Sequence, residues 1–317
     1  MKNNIYLKII GYILVIASFY YIIRLLMTFE IEWSVLLLPR VILFSVLYII
    51  IGTVSLYISA YIWKRILCLF SKRDISFTVV YPVYMKANIA KYLPGGIMNY
   101  VGRNLLLKGM GMSQMQIAGS SIVEIAIGQF SMLAIALLLS HNIIVAVLQE
   151  YVFVPGNLFI YIALTLVVAV VVFIVIFLRY KKLSLNDLLQ TFLSVDFFKL
   201  FFSNSFIYVV VIIITSGSYY LLINTIESVT ISQFLVIFGA LLLSAVIGVV
   251  TPGVPAGIGI REAVFVFIAQ DVCDIEVILL MTVLQRVILI TSDVIAFIVA
   301  LILEKLQNRS VQIVDKK

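Results

Sequence analysis

The feature that most constrains this chain is its series of long apolar runs, of which residues 158–178 are the clearest example. About 20 consecutive apolar residues are what an α-helix needs to cross the hydrocarbon core of a bilayer. Backbone groups in lipid must find partners within the protein, so only helices and closed barrels cross it. Barrel strands alternate apolar and polar residues, whereas these runs are apolar throughout. The sequence therefore predicts an all-α, polytopic membrane helical bundle.

Composition supports this fold class. The chain is 64% hydrophobic and 12% charged, far from the roughly 45–50% and 25% of soluble domains. We expect about seven or eight hydrophobic segments, forming a single transmembrane domain over residues 1–304 with a short basic tail at 305–317. The segments cover residues 5–27, 33–63, 116–139, 158–178, 202–223, 233–250, 260–270 and 277–303.

Basic residues predict the orientation in the membrane. They flank the N-terminus, residues 64–73, residues 179–182 and the C-terminus, whereas the predicted loops at 141–155 and 224–230 contain no Lys or Arg. By the positive-inside rule, both termini are cytoplasmic in a multi-pass protein of the cell membrane. The net charge of +7 therefore does not indicate nucleic acid. Two topologies remain open, in which residues 251–270 lead back across the membrane or residues 81–107 dip in and return.

Two Pro/Gly clusters interrupt the hydrophobic chain. One begins at Pro94 and ends at Arg103, and the other runs from Pro252 to Arg261 with the same Pro-to-Arg separation. Pro and Gly disfavour helix, so each cluster should break a helix into halves. Broken helices at two corresponding positions indicate a transporter binding site. The alternative is two interfacial loops with snorkelling arginines.

The candidate substrate-binding residues lie in and around these clusters and in the last helix. They are Lys91, Gly95, Gly96, Arg103, Gly253, Gly257, Arg261 and Arg286. Arginine side chains beside the N-terminus of a short helix favour phosphate-bearing substrates.

Charged residues inside the apolar segments are the second signal. Glu124 lies within the third segment, and Arg286 and Asp293 lie two turns apart on one face of the last. Because buried charge is costly, such residues are functional candidates by default. We expect Glu124, Glu262 and Asp293 to balance charge or to gate the site. The alternative is a structural salt bridge, for example from Glu124 to Arg261 or Arg286.

Nothing in the sequence indicates catalysis. It contains no GxSxG, HExxH, CxxC or P-loop motif and no Asp-rich cluster. The single His141 and the isolated Cys68 and Cys273 offer no metal-ligand spacing. We therefore predict a protein that is not an enzyme and holds neither a metal ion nor a cofactor.

The second cluster, with its continuation to Ala263, resembles the signature of the lysylphosphatidylglycerol synthase transmembrane-region family of flippase-like membrane proteins. The family form is Pro-Gly-Gly-x-Gly-x-Arg-Glu, followed by an arginine in the final helix, where Arg286 stands here. The first cluster resembles the other family motif, which Pro94, Gly95, Gly102, Arg103 and Glu124 match.

The chain departs from the family pattern in two places. Residues 254–256 lengthen the second motif by two residues, and Ile125 and Gly128-Gln129 stand where the family often has Arg and later Asp. The resemblance implies the stand-alone, translocating form without the soluble aminoacyltransferase domain.

The leading hypothesis is a lipid translocase that moves an anionic, aminoacylated or phosphate-bearing envelope lipid between leaflets. Its partners would be such lipids and a separate lipid-modifying enzyme, and the oligomeric state is left open. The alternatives are a non-catalytic membrane scaffold of an envelope glycolipid or polysaccharide pathway and an ion-coupled transporter of a small soluble substrate. An integral membrane transferase is disfavoured because the acidic metal cluster is missing.

Overall fold

The computed structural model describes residues 33–92, 98–151, 191–192, 194–251, 257 and 259–314, together with Tyr20, Arg24 and Met27. Within residues 140–151 and 307–314 only the backbone is described. The predicted segment at 158–178 and the rest of the segment at 5–27 lie outside the described residues.

The described residues form an all-α bundle without a strand, as the sequence predicts. Five helices are long and apolar enough to cross a membrane. They are α1 (Pro39–Ser71), α4 (Gln114–Tyr151), α5 (Val195–Ile223), α6 (Ile231–Val250) and α8 (Ile275–Val314). Many of their large apolar side chains, such as Phe202, Phe206 and Val250, are exposed, which suits contact with lipid. The chain is therefore a multi-pass membrane protein.

Three shorter helices lie beside the two Pro/Gly clusters. They are α2 (Phe77–Ile89), α3 (Met98–Leu106) and α7 (Ile260–Ala269). A 3₁₀ turn at Ala90–Tyr92 extends α2, and another at Trp33–Leu37 precedes α1. None of the three short helices reaches the length of about 20 residues that a crossing requires. The first cluster thus lies between two short helices, whereas the second lies between the 20-residue α6 and the short α7.

At both clusters the chain doubles back on itself. Helix α2 packs against α3, and a Cβ added at Gly102 would lie 3.3 Å from the Cβ of Ala87. Helix α7 packs along α6, and at its far end the Gln233 amide donates to the Val272 carbonyl at 3.1 Å. The chain therefore returns from the end of α6 to the level where α6 begins.

Two helices extend beyond their predicted ends. Helix α4 continues to Tyr151, so the expectation of a loop from residue 141 is wrong for residues 141–151, because no Gly or Pro interrupts this stretch before Pro155. Helix α1 continues past Trp63 and ends where Lys72 adopts a left-handed conformation, with φ of 53°.

Candidate functional site

Helix α8 lies beside both interrupted segments and carries one charged residue to each. Asp293 contacts residues that precede the first cluster, whereas Arg286 contacts Glu262, which follows the second. We call this group the central charge cluster. It consists of Lys91, Tyr92, Arg261, Glu262, Arg286 and Asp293. Charges from two interrupted segments and one crossing helix thus converge, although they are far apart in sequence.

The Asp293 carboxylate is buried and fully engaged. It lies 2.7 Å from the Lys91 ammonium and accepts a hydrogen bond of 2.7 Å from the Asn88 amide. The Tyr92 hydroxyl donates to its other oxygen. These donors offset the cost of burying the carboxylate, whose residue is 3% exposed. Asp293 therefore fixes the chain immediately before residues 93–97.

Arg286 forms an ion pair with Glu262, two residues into α7. The other Glu262 oxygen accepts from the backbone N–H of Gly259 at 2.6 Å, which caps the N-terminus of α7. The same carboxylate thus ties the start of the short helix to α8. Among the described residues, Nη2 of Arg286 is buried without a hydrogen-bond partner.

Arg261 differs from the other arginines of the cluster. Within the part of the chain that the structure describes, no carboxylate forms an ion pair with it. Its Cγ and Cδ atoms pack against Gly248 and Gly257, where a side chain would overlap them. Gly257 also has a φ of +67°, a left-handed conformation that favours glycine. The two glycines thus make room for the stem of Arg261, which leaves its guanidinium in excess of the available carboxylates.

The central charge cluster has an excess of positive charge. Lys91, Arg261 and Arg286 supply three cations against the carboxylates of Glu262 and Asp293. Lys91 is repelled by both arginines and attracted by Asp293, so these groups form one electrostatic unit. An uncompensated charge is costly away from water, so this unit favours an anion.

Space beside the cluster is small. A cavity of about 10 Å³ is lined by Arg261, Glu262 and Arg286, together with Ser244 and Gln285. That volume is about enough for a single water molecule. The described conformation is therefore closed to any head group of phosphate size.

Arg103 lies in a separate network, and its Nε is buried without a hydrogen-bond partner among the described residues. Its Nη1 is 2.8 Å from Glu124, which also accepts from the hydroxyls of Tyr84 at 2.9 Å and Tyr208 at 3.3 Å. The guanidinium centre lies 4.1 Å from the ring centroid of Tyr84 and 4.8 Å from that of Trp63. The salt bridge considered for Glu124 exists, but its partner is Arg103 rather than Arg261 or Arg286. This geometry joins α3 to α4 and favours a structural role for the pair.

The remaining predicted site residues are placed as follows. Gly95, Gly96 and Gly253 lie outside the described residues, whereas Gly257 contacts Arg261. Sequence reasoning did not anticipate Tyr92, Tyr84 or Trp63, because single aromatic residues are common in membrane segments. Within the described part of the chain, no group of three potential ligands of the His, Cys, Asp and Glu types lies close enough to hold a metal ion.

Fold and site together define a multi-pass α-helical membrane protein with a buried, net-positive charge cluster between two interrupted segments. Comparison of the chain with protein-family models, curated proteins and solved structures finds no match in any of the three.

Proposed function

We propose that this protein is a lipid translocase that moves an anionic, aminoacylated or phosphate-bearing envelope lipid between the leaflets of the membrane. The observation that carries the proposal is the excess positive charge of the central charge cluster, held between two interrupted segments. Interrupted helices that line a polar site are typical of transporters. The resemblance of the two Pro/Gly clusters to flippase-like proteins points in the same direction.

Arg261 is the primary contact for the head group in this proposal. Its guanidinium has no ion-pair partner among the described residues, and a guanidinium binds phosphate oxygens through two parallel hydrogen bonds. Arg286 offers a second donor, Nη2, which has no hydrogen-bond partner in the described part of the chain. A phosphate between the two arginines would compete with Glu262 for Arg286 and with Asp293 for Lys91. Binding of the head group would thereby loosen the contacts that hold both interrupted segments to α8.

The depth of the cluster suits transfer between leaflets. Arg286 lies about 16 Å along α8 from Ile275, at a rise of 1.5 Å per residue. The hydrocarbon core is about 30 Å thick, so the arginine sits near its middle if α8 begins at the surface. The small cavity then represents a closed state, and translocation requires α7 or the α2–α3 pair to move away from α8.

For location, we propose the cytoplasmic membrane with both termini cytoplasmic, because the basic flanks follow the positive-inside rule. In this topology, residues 251–270 count as one crossing, which the ten-residue α7 makes only together with the residues before it, and residues 81–107 count as none, so that both termini lie on the same side. A separate lipid-modifying enzyme would supply the substrate.

The test is reconstitution into liposomes that contain phosphatidylglycerol or phosphatidylcholine labelled on an acyl chain. Dithionite quenching then reports how fast labelled lipid reaches the outer leaflet. We expect the protein to accelerate movement of phosphatidylglycerol more than that of phosphatidylcholine. Arg261→Met keeps the aliphatic stem that packs on Gly248 and removes the charge, and should slow this movement at least tenfold. An unchanged rate in Arg261→Met contradicts the proposed role.

Arg40→Gln is the matched control, since Arg40 is exposed at the start of α1 and lies outside the cluster. Its rate should equal that of the wild type. If no labelled lipid moves, uptake driven by a proton or sodium gradient would favour the ion-coupled transporter. A stable co-purifying enzyme, with normal function in Arg261→Met, would favour the scaffold.

A further inference from the structure

A second cavity, of about 610 Å³, opens between the end of α1 and the start of α5. Its volume is typical of small-molecule sites. Lys64, Arg65 and Lys199 line it together with the carboxylates of Asp74 and Asp196. We call it the α1–α5 groove. Its lining shares no residue with the central charge cluster, so the proposed function does not account for it.

The groove contains three cations and two carboxylates, and the three cations differ in how tightly neighbouring side chains hold them. Arg65 is held in place, because it donates to the Asn204 side chain at 2.6 Å and to the Ser203 hydroxyl at 3.1 Å. Lys64 lies 3.4 Å from Asp74, whose side chain is 92% exposed, so this pair contributes little. Lys199 is exposed and has no ion pair among the described residues. The groove therefore presents a fixed guanidinium between two lysines that are available to an anion.

Aromatic side chains continue from each lysine toward the apolar part of its helix. On α1, Tyr61 precedes Lys64 by three residues and lines the groove, whereas Tyr57, which precedes Lys64 by seven residues, packs edge-on against Phe77 of α2. On α5, Phe202 and Phe206 follow Lys199 with the same spacings. These four rings are between 45% and 69% exposed. Tyr61 on the α1 side and, by helical spacing, Phe202 and Phe206 on the α5 side thus form the aromatic stripes that adjoin the basic rim.

We propose that the α1–α5 groove binds an anionic phospholipid, with its phosphate at Lys64, Arg65 and Lys199 and its acyl chains along the aromatic stripes. Basic pockets between membrane helices bind acidic head groups in this way, and aromatic rings favour the boundary between lipid and water. A free phosphate ion would satisfy the lysines but would leave the aromatic stripes unused. The bound lipid would bridge α1 and α5 next to the Arg65–Asn204 contact.

The test is native mass spectrometry of the full chain in detergent, with titration of phosphatidylglycerol, phosphatidylcholine or inorganic phosphate. We expect the wild type to retain phosphatidylglycerol in preference to phosphatidylcholine. Lys64→Gln and Lys199→Gln should each weaken retention about fivefold, the factor for roughly 1 kcal/mol per basic residue near an acidic lipid. The double variant should weaken it about 25-fold. Lys199 is exposed and the Lys64 side chain is 23% exposed, and glutamine keeps most of the aliphatic stem of each lysine, so the variants should unfold near the wild-type temperature.

Lys305→Gln is the matched control, because it removes one exposed positive charge outside the groove. It should leave retention of phosphatidylglycerol unchanged. Equal losses in Lys305→Gln and Lys199→Gln would overturn the site in favour of general charge attraction. Retention of inorganic phosphate that competes fully with the lipid would overturn the lipid assignment. The measurement involves no transport, and phosphatidylglycerol that the central charge cluster retains is identified as the part that persists in the Lys64→Gln/Lys199→Gln variant.

Discussion

Arg103 and Glu124 form an ion pair in which both side chains are buried, at 2% and 9% exposure, with a nitrogen–oxygen distance of 2.8 Å. Rings of Trp63, Tyr84 and Tyr100 surround the guanidinium. The hydroxyls of Tyr84 and Tyr208 also donate hydrogen bonds to the Glu124 carboxylate. The pair thus joins α3, which follows the first Pro/Gly cluster, to α4. It fixes one end of the interrupted segment while the other end is held to Asp293.

Glu124→Gln should destabilise the protein by about 3 kcal/mol, because it leaves the Arg103 guanidinium buried without a counter-charge. Thermal or chemical unfolding in detergent measures the effect. The double variant Arg103→Met/Glu124→Gln should recover part of the loss, since neither charge then remains unpaired. Asp74→Asn removes a carboxylate from the exposed pair with Lys64 and should change stability by less than about 0.5 kcal/mol. A smaller loss in Glu124→Gln than in Asp74→Asn would contradict the structural role of the buried pair.

Gly248→Ala should disturb the site without changing any charge. A Cβ at this position would overlap Cγ of Arg261 and lie 3.4 Å from Cα of Gly257, so both the arginine and the start of α7 must shift. We expect a loss of about 1–3 kcal/mol in stability, the usual cost of overpacking, and slower lipid movement in liposomes.

Gly217→Ala is the control for this prediction. Gly217 lies within α5 and no atom of the described residues lies within 4 Å of its added Cβ, so alanine should be neutral or stabilise the helix by up to about 1 kcal/mol. Adding Arg261→Ser to Gly248→Ala removes the overlap and should restore stability but not lipid movement. If the double variant regains full lipid movement, Arg261 does not contact the substrate.

The sequence was sufficient to predict the fold class and the position of both interruptions. Apolar runs of membrane length and Pro/Gly clusters are local sequence signals. They determine where helices form and where helices end, which are also local properties of the chain. The placement of Arg286 and Asp293 on one face of α8 followed from helical periodicity.

The pairing of charges was not predictable in the same way. Glu124 pairs with Arg103, and Glu262 pairs with Arg286 rather than with its neighbour Arg261. These choices depend on how α3, α4, α7 and α8 are rotated and packed, which no spacing along the chain encodes. The contacts of Tyr92 and Tyr84 could not be predicted for the same reason, since only tertiary packing brings their hydroxyls to Asp293 and Glu124.

Asp293→Asn should increase retention of phosphatidylglycerol at the central charge cluster about fivefold, which corresponds to about 1 kcal/mol. The substitution removes the carboxylate that competes with a phosphate for Lys91. Native mass spectrometry in the Lys64→Gln/Lys199→Gln background separates this retention from that of the α1–α5 groove. Glu304→Gln is the matched control, because Glu304 also lies on α8 and pairs with a lysine of α2, Lys86. Weaker retention in Asp293→Asn than in Glu304→Gln would show that Asp293 supports lipid binding and does not compete with the lipid phosphate for Lys91.

Cys273 should be almost inert to maleimide in the folded protein. Its thiol lies in the turn between α7 and α8 and donates to the Glu227 carboxylate at 3.0 Å. Burial, together with this hydrogen bond and the negative charge of Glu227, raises the pKa of Cys273 to about 12. At pH 8 about one thiol in 10⁴ is then ionised, against about one in four for an ordinary cysteine with a pKa of about 8.5. Because only the thiolate reacts, alkylation should be at least about 100-fold slower than in the unfolded chain.

The measurement uses the Cys68→Ser variant, in which Cys273 is the only cysteine. Labelling is followed by mass spectrometry at pH 8, with the SDS-unfolded protein as the reference for full reactivity. Glu227→Gln should speed labelling of the folded protein, because loss of the neighbouring negative charge lowers the pKa of the thiol. Labelling at the same rate before and after unfolding would mean that the Cys273–Glu227 contact does not hold the turn between α7 and α8.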